Sequence, residues 1–314
     1  MRMVIALGGN ALLRRGQPMD APTQRHNARL AAQALADVVR RHQVILTHGN
    51  GPQVGMLALA RRVAQHDWPL DVLVAETQGQ IGYTLALELM NVVPELSVLP
   101  IVTLVEVDPD DAAFQSPTKF IGPAYPREEA EALSKQTGWQ MRGDGECWRR
   151  VVPSPIPRRI VGLDMIRHLA AQPNTLAICV GGGGIPVVRT ADGAWQGVEA
   201  VVDKDLASAL LAREVEADLF VIATDVPGVF LDHRQPTERL LARCTARQLR
   251  AHLQDFPDGS MRPKVEAALQ FVSCSQRCAA IGALDEISRI IEGNAGTWVV
   301  PDAQDAQLSA SAKR

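Results

Sequence analysis

Short apolar runs alternate along the chain with longer segments whose apolar positions recur every three or four residues. Residues 3–7 form an apolar run that ends in a glycine turn, and residues 44–46 form a second run of the same kind. Between them, residues 22–41 carry apolar side chains at helical spacing, which predicts a helix buried along one face. Strand–turn–helix units in series predict an α/β fold, with an open, mainly parallel sheet sandwiched between helices.

The same alternation continues beyond residue 50 and predicts the remaining elements of one domain, residues 1–314. We expect helices at residues 54–64, 71–90, 203–214, 284–292 and within 259–273, and strands at residues 98–105, 175–180, 219–223, 279–281 and 297–300.

Residues 108–157 interrupt this alternation. They are rich in proline, glycine and charged residues, contain Trp139 and Trp148, and show no long apolar period. The segment is too long for an ordinary loop, so we expect a protruding, mobile lid subdomain inserted in the main domain. The small and polar residues 303–314 are expected to form a frayed tail.

Composition narrows the classes of function. The chain has 314 residues, 46% of them hydrophobic, and a formal net charge of −3, with no basic run longer than a pair. This balance disfavours binding to nucleic acid or to anionic membranes, and no apolar run is long enough to span a bilayer. Five scattered cysteines without a CxxC pair, and no secretory signal, favour a reducing cytoplasm.

Two glycine turns follow the first two predicted strands. They are Gly8-Gly9-Asn10 and Gly49-Asn50-Gly51, and each precedes a predicted helix. Turns at the carboxyl ends of parallel strands open on the same edge of the sheet, where ligands bind. Glycine amides and helix N-termini attract anions, so the pair predicts one anion cradle, although each turn alone could simply need glycine for a positive φ.

A run of four glycines follows a later strand. Gly181-Gly182-Gly183-Gly184 is a candidate phosphate site, but Ile185-Pro186 follows it where a helix would be needed for the dinucleotide-binding GxGxxG pattern. The chain also has no Walker A loop. Any nucleotide phosphates must therefore be held in another way.

Lysine is rare in this chain. Arginine predominates among the 32 basic residues, and the five lysines are Lys119, Lys135, Lys204, Lys264 and Lys313. Lys135 and Lys313 lie in polar surroundings and are expected to be solvated. The other three are either surface ammonium groups or charges kept for an anion, because a lysine at a helix start opposes the helix dipole unless an anion is present.

The motifs that contain these residues resemble those of carbamate kinases, within the amino acid kinase superfamily. In chain order they are LGGNALL, THGNGPQVG, PTKFIGP, WRRVVPSP, GGGGIPVV, EAVVDKDLAS and GSMRPKVEAA, and they extend from residue 4 to about residue 300. The resemblance implies a homodimer that uses ATP and Mg²⁺. It also implies the reversible conversion of carbamate and ATP into carbamoyl phosphate and ADP.

The resemblance also implies roles for individual residues. The turns Gly8-Gly9-Asn10 and Gly49-Asn50-Gly51 would hold carbamate and the moving phosphoryl group, and Lys119 would cap that site from the lid. Residues placed near the nucleotide or its phosphates are Gly181, Gly182, Lys204, Lys264, Thr224 and Asp225, with Asp205 orienting the lysines. The ligands of the metal are left open.

Two alternatives stay open at this level. The chain could be a related kinase of the same fold with another small acid as acceptor, or a catalytically silent nucleotide-binding sensor. The presence of Lys119, Lys204, Asp205 and Lys264 argues against silence.

Two further readings concern single features of the chain. His48 is interpreted as a packing residue of its turn. Ile81, Leu85 and Leu89, at spacing four, are either part of a dimer interface or ordinary core residues.

Overall fold

A computed structural model describes residues 1–13, 16–66, 68–233, 235–257 and 260–304. Its helices are α1 Gly9–Leu12, α2 Ala21–Arg41, α3 Gly51–Val63, α4 Leu70–Val92, α5 Arg127–Thr137, α6 Leu163–Ala170, α7 Lys204–Glu214, α8 Ala246–Ala251, α9 Met261–Ser275 and α10 Ile287–Ile291. Its strands are β1 Arg2–Leu7, β2 Gln43–His48, β3 Ser97–Pro100, β4 Leu104–Val107, β5 Lys119–Tyr125, β6 Met141–Asp144, β7 Cys147–Val152, β8 Pro157–Ile160, β9 Thr175–Ile178, β10 Ile185–Arg189, β11 Trp195–Gly197, β12 Leu219–Thr224, β13 Phe230–Leu231, β14 Arg239–Leu240, β15 Arg243–Thr245, β16 Cys278–Ala283 and β17 Thr297–Val300.

An eight-stranded sheet forms the centre of the molecule, in the order β15-β17-β16-β12-β1-β2-β9-β3. All neighbouring strands in it are parallel except β16 and β17, which pair antiparallel. The predicted fold class, an open and mainly parallel sheet between helices, is therefore confirmed.

Alternate residues of each central strand face opposite helical layers. In β1, Val4 and Ala6 pack with α6, α7, α8 and α9, while Met3, Ile5 and Leu7 pack with α2, α4 and α10. Because side chains alternate along a strand, a continuous apolar run is what a strand buried on both faces requires. The sequence pattern of residues 3–7 has its physical explanation here.

The predicted strand at residues 98–105 is wrong as a single element. The structure divides it into β3, at the edge of the central sheet, and β4, in a second sheet with the order β11-β10-β4-β8. Pro100 ends β3, and residues 101–103 carry the chain from one sheet to the other. A continuous apolar run cannot reveal such a change of sheet, since the strands of both sheets carry similar apolar side chains.

Within residues 108–157, β5, β7 and β6 pair in that order as a separate antiparallel sheet, with α5 beside it. The closest backbone approach between this three-stranded sheet and α3 is at Gly122 of β5 and Gly55 of α3. A Cβ atom at Gly55 would lie 2.1 Å from Gly122 Cα, so only glycine allows this approach. The predicted frayed tail is described only as far as residue 304; the rest of it lies outside the described residues.

The middle of α4 belongs to the core. Ile81, Leu85 and Leu89 are 5%, 1% and 0% exposed and pack against α2 and the central sheet, so they are core residues and form no dimer surface. The buried Glu88 on the same helix pairs with Arg25 and Arg29 of α2. Among the described helices, none is long and apolar enough to cross a membrane.

Candidate active site

The carboxyl ends of β1, β2, β9 and β12 lie side by side at one edge of the central sheet. The backbone N–H of Gly8 donates to Ala223 O at 2.8 Å, and that of Gly49 donates to Leu7 O at 3.1 Å. A Cβ atom at Gly49 would lie 3.2 Å from Gly9 N. The structure thus brings the two glycine turns into contact, in the place where parallel sheets bind ligands.

The second turn leads directly into α3. Gly51 is the first residue of that helix, and the buried Asn50 precedes it. The Asn50 side chain does not cap the helix; its Nδ2 donates instead to Thr77 Oγ1 of α4 at 2.8 Å. The free amides at the start of α3 remain available to an anion. The side chain of Asn10, in the first turn, lies outside what the structure describes.

The four-glycine run packs against the second turn. A Cβ atom placed on Gly181 would lie 2.4 Å from His48 Nε2, and one placed on Gly182 would lie 2.2 Å from Asn50 Nδ2. A Cβ atom placed on Gly183 would lie 2.3 Å from Val202 O. All four glycines are buried, and the last three have positive φ. This run therefore needs glycine for close packing, and Gly181 and Gly182 lie beside the turn that was assigned to the substrate.

Gln78 of α4 holds the glycine run in place, a role that nothing in the sequence indicated. Its side-chain amide donates to Gly181 O at 2.9 Å and to Thr103 O at 3.2 Å, and its carbonyl accepts from Thr103 N at 2.8 Å. Thr103 Oγ1 in turn accepts from Val180 N. A buried glutamine with this many hydrogen bonds fixes the short 3-10 turn that Gly181–Gly183 form.

His48 is buried between the second turn and the glycine run. Burial lowers the pKa of His48 to about 4, with a smaller lowering effect from Lys204. The imidazole is therefore neutral at neutral pH, and its Nδ1 lies 3.2 Å from Gly49 O. This geometry agrees with the packing role inferred from the sequence.

Two of the three motif lysines contact Asp205 at the start of α7. Lys204 Nζ lies 2.6 Å from Asp205 Oδ1, and Lys264 Nζ lies 4.0 Å from Asp205 Oδ2. The Lys204 side chain is 9% exposed, and burial lowers its pKa against the opposing effect of Asp205. An ammonium group has three N–H donors, and the single contact with Asp205 leaves donors over. Buried donors of this kind are ready for an incoming anion.

Lys119 reaches the same place from the three-stranded sheet. It is the first residue of β5, and its Nζ forms an ion pair with Oδ2 of Asp203. Asp203 caps α7, since its Oδ1 accepts from Asp205 N at 2.8 Å and Leu206 N at 3.2 Å. Burial by itself raises the pKa of Asp203, but Lys119 and the helix amides outweigh it and lower the pKa to about 2.

The three lysines therefore converge on the first turn of α7. The carboxylates of Asp203 and Asp205 offset two of the three lysine charges, so one positive charge remains beside the amides of a helix N-terminus. Ser208 Oγ, 2.6 Å from Thr47 Oγ1, ties this helix to β2 just before the second glycine turn. The arrangement suits a multiply charged anion such as a phosphate chain. Asp203 was missed as a site residue, although it stands in the same DKD motif as Lys204.

Thr224 and Asp225 follow β12 at the same edge. A Cβ atom at Gly8 would lie 3.7 Å from Thr224 Cα, and Thr224 Oγ1 donates to Asp225 Oδ1 at 3.1 Å. Within the described ranges, no group of three or more His, Cys, Asp or Glu side chains is arranged to hold a metal ion.

The chain as a whole is similar to proteins of known function. A model of the amino acid kinase family matches residues 1–281. The chain is 50% identical over 310 residues to a carbamate kinase of Rhizobium meliloti, covering 97% of this chain and 95% of that one. It is 48% identical to a carbamate kinase of Haemophilus influenzae, covering 95% and 96% of the two chains.

A solved structure agrees with these relatives. Carbamate kinase from Giardia lamblia bound to AMP-PNP superimposes with a TM-score of 0.85 at 37% identity, covering 96% of this chain and 98% of that one. The similarity therefore extends over nearly the whole of both chains.

Proposed function

Since this chain belongs to the amino acid kinase family and, within it, to the carbamate kinases, we propose that Lys119, Lys204 and Lys264 carry the phosphoryl transfer between ATP and carbamate. The observation behind this assignment is the convergence of all three lysines on the first turn of α7. The reaction joins two anions, so it needs charge neutralisation and alignment more than covalent help.

In this assignment each part of the edge has one task. Carbamate is already an anionic nucleophile and needs no general base, which agrees with the neutral His48. The amides of Gly8 and Gly49 are hydrogen-bonded within the protein, and the other amides of the two glycine turns hold carbamate and the moving phosphoryl group. Lys204 and Lys264, which share Asp205 as a partner, contact the phosphates of the nucleotide. Lys119 contacts the transferring group from the opposite side. Thr224 and Asp225 lie toward the nucleotide.

Magnesium fits this site as part of the nucleotide substrate. Asp203 and Asp205 are engaged by lysines, and the described residues hold no cluster of three acidic or metal-binding side chains. Mg²⁺ commonly binds through substrate phosphates and water with few protein ligands. Calorimetry should then detect Mg²⁺ binding to the protein only when ATP or ADP is present.

Turnover assays test the choice of acceptor. ATP consumption is measured with carbamate, with N-acetylglutamate and with no acceptor, using the same protein preparation. We expect carbamate to support turnover well above the other two. Turnover with N-acetylglutamate alone would establish the alternative kinase, and nucleotide binding without turnover on any acceptor would establish the sensor.

We also propose that the lid predicted from residues 108–157 moves as the three-stranded sheet with α5. Its support is the separate pairing of β5, β6 and β7 and the partly exposed ion pair that joins Lys119 to Asp203 at the start of α7. Hydrogen exchange in residues 119–152 should slow when ADP and carbamoyl phosphate bind. Equal exchange with and without ligands would refute the movement.

A homodimer is proposed through the outer surface of α4 and the edge strand β3. Tyr83 is 63% exposed, Met90 40%, Leu99 41% and Val102 55%, an apolar surface beside the unpaired backbone of an edge strand. Light scattering should give the mass of a dimer at micromolar concentration. Tyr83→Glu should shift it to a monomer, whereas Met165→Glu, at an exposed apolar residue on α6, should not.

We also propose that the reaction takes place in the cytoplasm. The support is that all five cysteines are free thiols, of which Cys179 and Cys244 are buried. Free cysteines at this number are usual where the cell keeps thiols reduced. Fractionation of cells that express the chain would test this placement.

A further inference from the structure

A cavity of about 270 Å³ lies between the three-stranded sheet and the helices α3 and α4. Ala58 of α3 and Leu70 and Leu73 of α4 form one apolar wall. Trp139 and Arg150, from the segment of the three-stranded sheet, line the opposite side. None of these residues takes part in the site at the start of α7, so the cavity is a separate feature.

Arg150 is the unusual group in this cavity. Its guanidinium stacks on the ring of Trp139, 3.9 Å from the ring centroid, and makes no hydrogen bond or ion pair with any described residue. Burial lowers the pKa of Arg150 to about 10, and Glu199 only partly opposes this effect. The group still carries its charge at neutral pH. Arg150 is only partly buried, and its guanidinium faces the open cavity, where it can pair with an anion from outside the chain.

The neighbouring arginine shows what a structural role looks like on the same strand. Arg149 donates from Nε and Nη2 to Gly122 O and lies 3.2 Å from Asp144 Oδ2. Its hydrogen-bonding groups serve the three-stranded sheet itself. Arg150, one residue further on and on the opposite face of β7, has no comparable partner.

The acidic residue at the cavity is already occupied. Glu199 Oε1 accepts a hydrogen bond from Leu70 N at 3.0 Å and so caps α4, whose N-cap residue Pro69 cannot do this with a side chain. The charge of Glu199 acts on Arg150 through space, without a hydrogen bond between the two side chains. The guanidinium therefore presents free N–H donors to the cavity, beside an apolar wall and two tryptophan rings, Trp68 and Trp139.

We propose that this cavity binds a small monocarboxylate with a planar apolar body, its carboxylate on Arg150 and its body between Trp139 and the wall formed by Ala58 and Leu73. A guanidinium pairs with a carboxylate through two parallel hydrogen bonds, and aromatic walls favour a planar body. The occupant bridges the three-stranded sheet and α3. Arg150 pairs in register with Ile121, two residues from Lys119, so the bridge acts on the strand that carries this lysine.

Benzoate is the probe, with benzamide as its uncharged analogue and inorganic phosphate as an anion without an apolar body. Binding to the full chain is followed by ligand-observed NMR and by tryptophan fluorescence. We expect benzoate to bind with a Kd on the order of 1 mM, as a ligand of its size allows, and the other two to bind far more weakly.

Two variants remove the site by independent means. Arg150→Gln deletes the charge, and Ala58→Leu fills the cavity from the opposite wall; each should weaken benzoate binding by about tenfold or more. Arg142→Gln, at an exposed arginine of β6, is the matched control and should bind benzoate normally. Circular dichroism establishes that each variant is folded.

Unchanged benzoate binding in either folded variant would overturn the proposal, since the carboxylate would then be bound elsewhere, for example in the carbamate site. Equal binding of benzamide would also overturn it, because the guanidinium would play no part. If one variant fails to fold, the other still decides the question. No binding of benzoate to the unmodified chain would refute it directly.

Discussion

Two lysine–carboxylate pairs meet at the start of α7, and they are built differently. Lys204 and Asp205 are neighbours in sequence, almost fully buried, and rest on a helix that is tied to the central sheet through Ser208 and Thr47. Lys119 and Asp203 are 84 residues apart, and their side chains are 26% and 12% exposed. The first pair belongs to the rigid body of the molecule, whereas the second joins that body to the three-stranded sheet.

This difference separates two tasks of one site. A buried charge on a fixed helix gives preorganised stabilisation, because it does not have to move when charge develops. A partly exposed charge on a separate sheet can leave one partner for another, because water compensates part of the loss. We therefore expect changes at Lys204 to affect the chemical step most, and changes at Asp203 to act through the position of Lys119.

The largest effect is expected for Lys204→Arg. A planar guanidinium in place of a compact ammonium misplaces a buried charge, and kcat should fall on the order of a hundredfold, or about 3 kcal/mol of transition-state stabilisation. The conservative change should be tolerated at the exposed Lys135 of α5, which serves as the matched control. Steady-state kinetics of both variants, each first shown to be folded, provide the measurement. Similar kcat values in the two would remove Lys204 from the catalytic machinery.

The second prediction concerns the pH range in which His48 and Asp203 each change the stability of the fold. The unfolded chain protonates His48 near pH 6.5, but the folded chain does so only near pH 4. Stability is therefore full above pH 6.5 and falls as the pH drops toward 4, by roughly 3 kcal/mol from this residue. The pKa of Asp203 is about 2, below its unfolded value, so its contribution is lost only as the pH falls from about 4 toward 2.

Urea unfolding at a series of pH values between 7 and 4 tests this order. His48→Gln should flatten the decline of the unfolding free energy between pH 6.5 and 4, while His66→Gln, at an exposed histidine, should leave it unchanged. An equally steep decline in His48→Gln would show that other groups cause the acid sensitivity.

The smallest effect is expected for Asp203→Asn. Asparagine still caps α7, so the helix should be retained, but the charge that holds Lys119 is lost. We expect kcat/KM for carbamoyl phosphate to fall about tenfold, the usual value of a charge-assisted hydrogen bond. The loss should appear mainly in KM, because the pair positions Lys119 before the chemical step.

Two comparisons sharpen this result. Asp205→Asn, which leaves two lysines without their common partner, should lower kcat more than Asp203→Asn does. The reverse order of the two variants would mean that the Lys119–Asp203 pair contributes more to catalysis than the buried Lys204–Asp205 pair.

Much of the fold and part of the site follow from local patterns. The strand at residues 297–300 and the helix near residues 22–41 appear in the structure within one residue of their predicted bounds, because each is a long or fully buried periodic segment. The importance of Lys119, Lys204 and Lys264 was indicated by their rarity and their motifs. That the two glycine turns share one edge follows from parallel strands alone.

The sequence by itself determined the layers, the shared edge of the two glycine turns and the choice of the three lysines as candidates, since these depend on residue type and on spacing within one element. Only the tertiary structure decided that residues 98–105 divide between two sheets, that Gly181 and Gly182 are needed for packing against His48 and Asn50, and that Asp203 is the partner of Lys119. The same is true of Arg150, whose stacking on Trp139 is visible only in the folded molecule. Contacts between residues far apart in the chain leave no periodic signal, so only the folded molecule shows them.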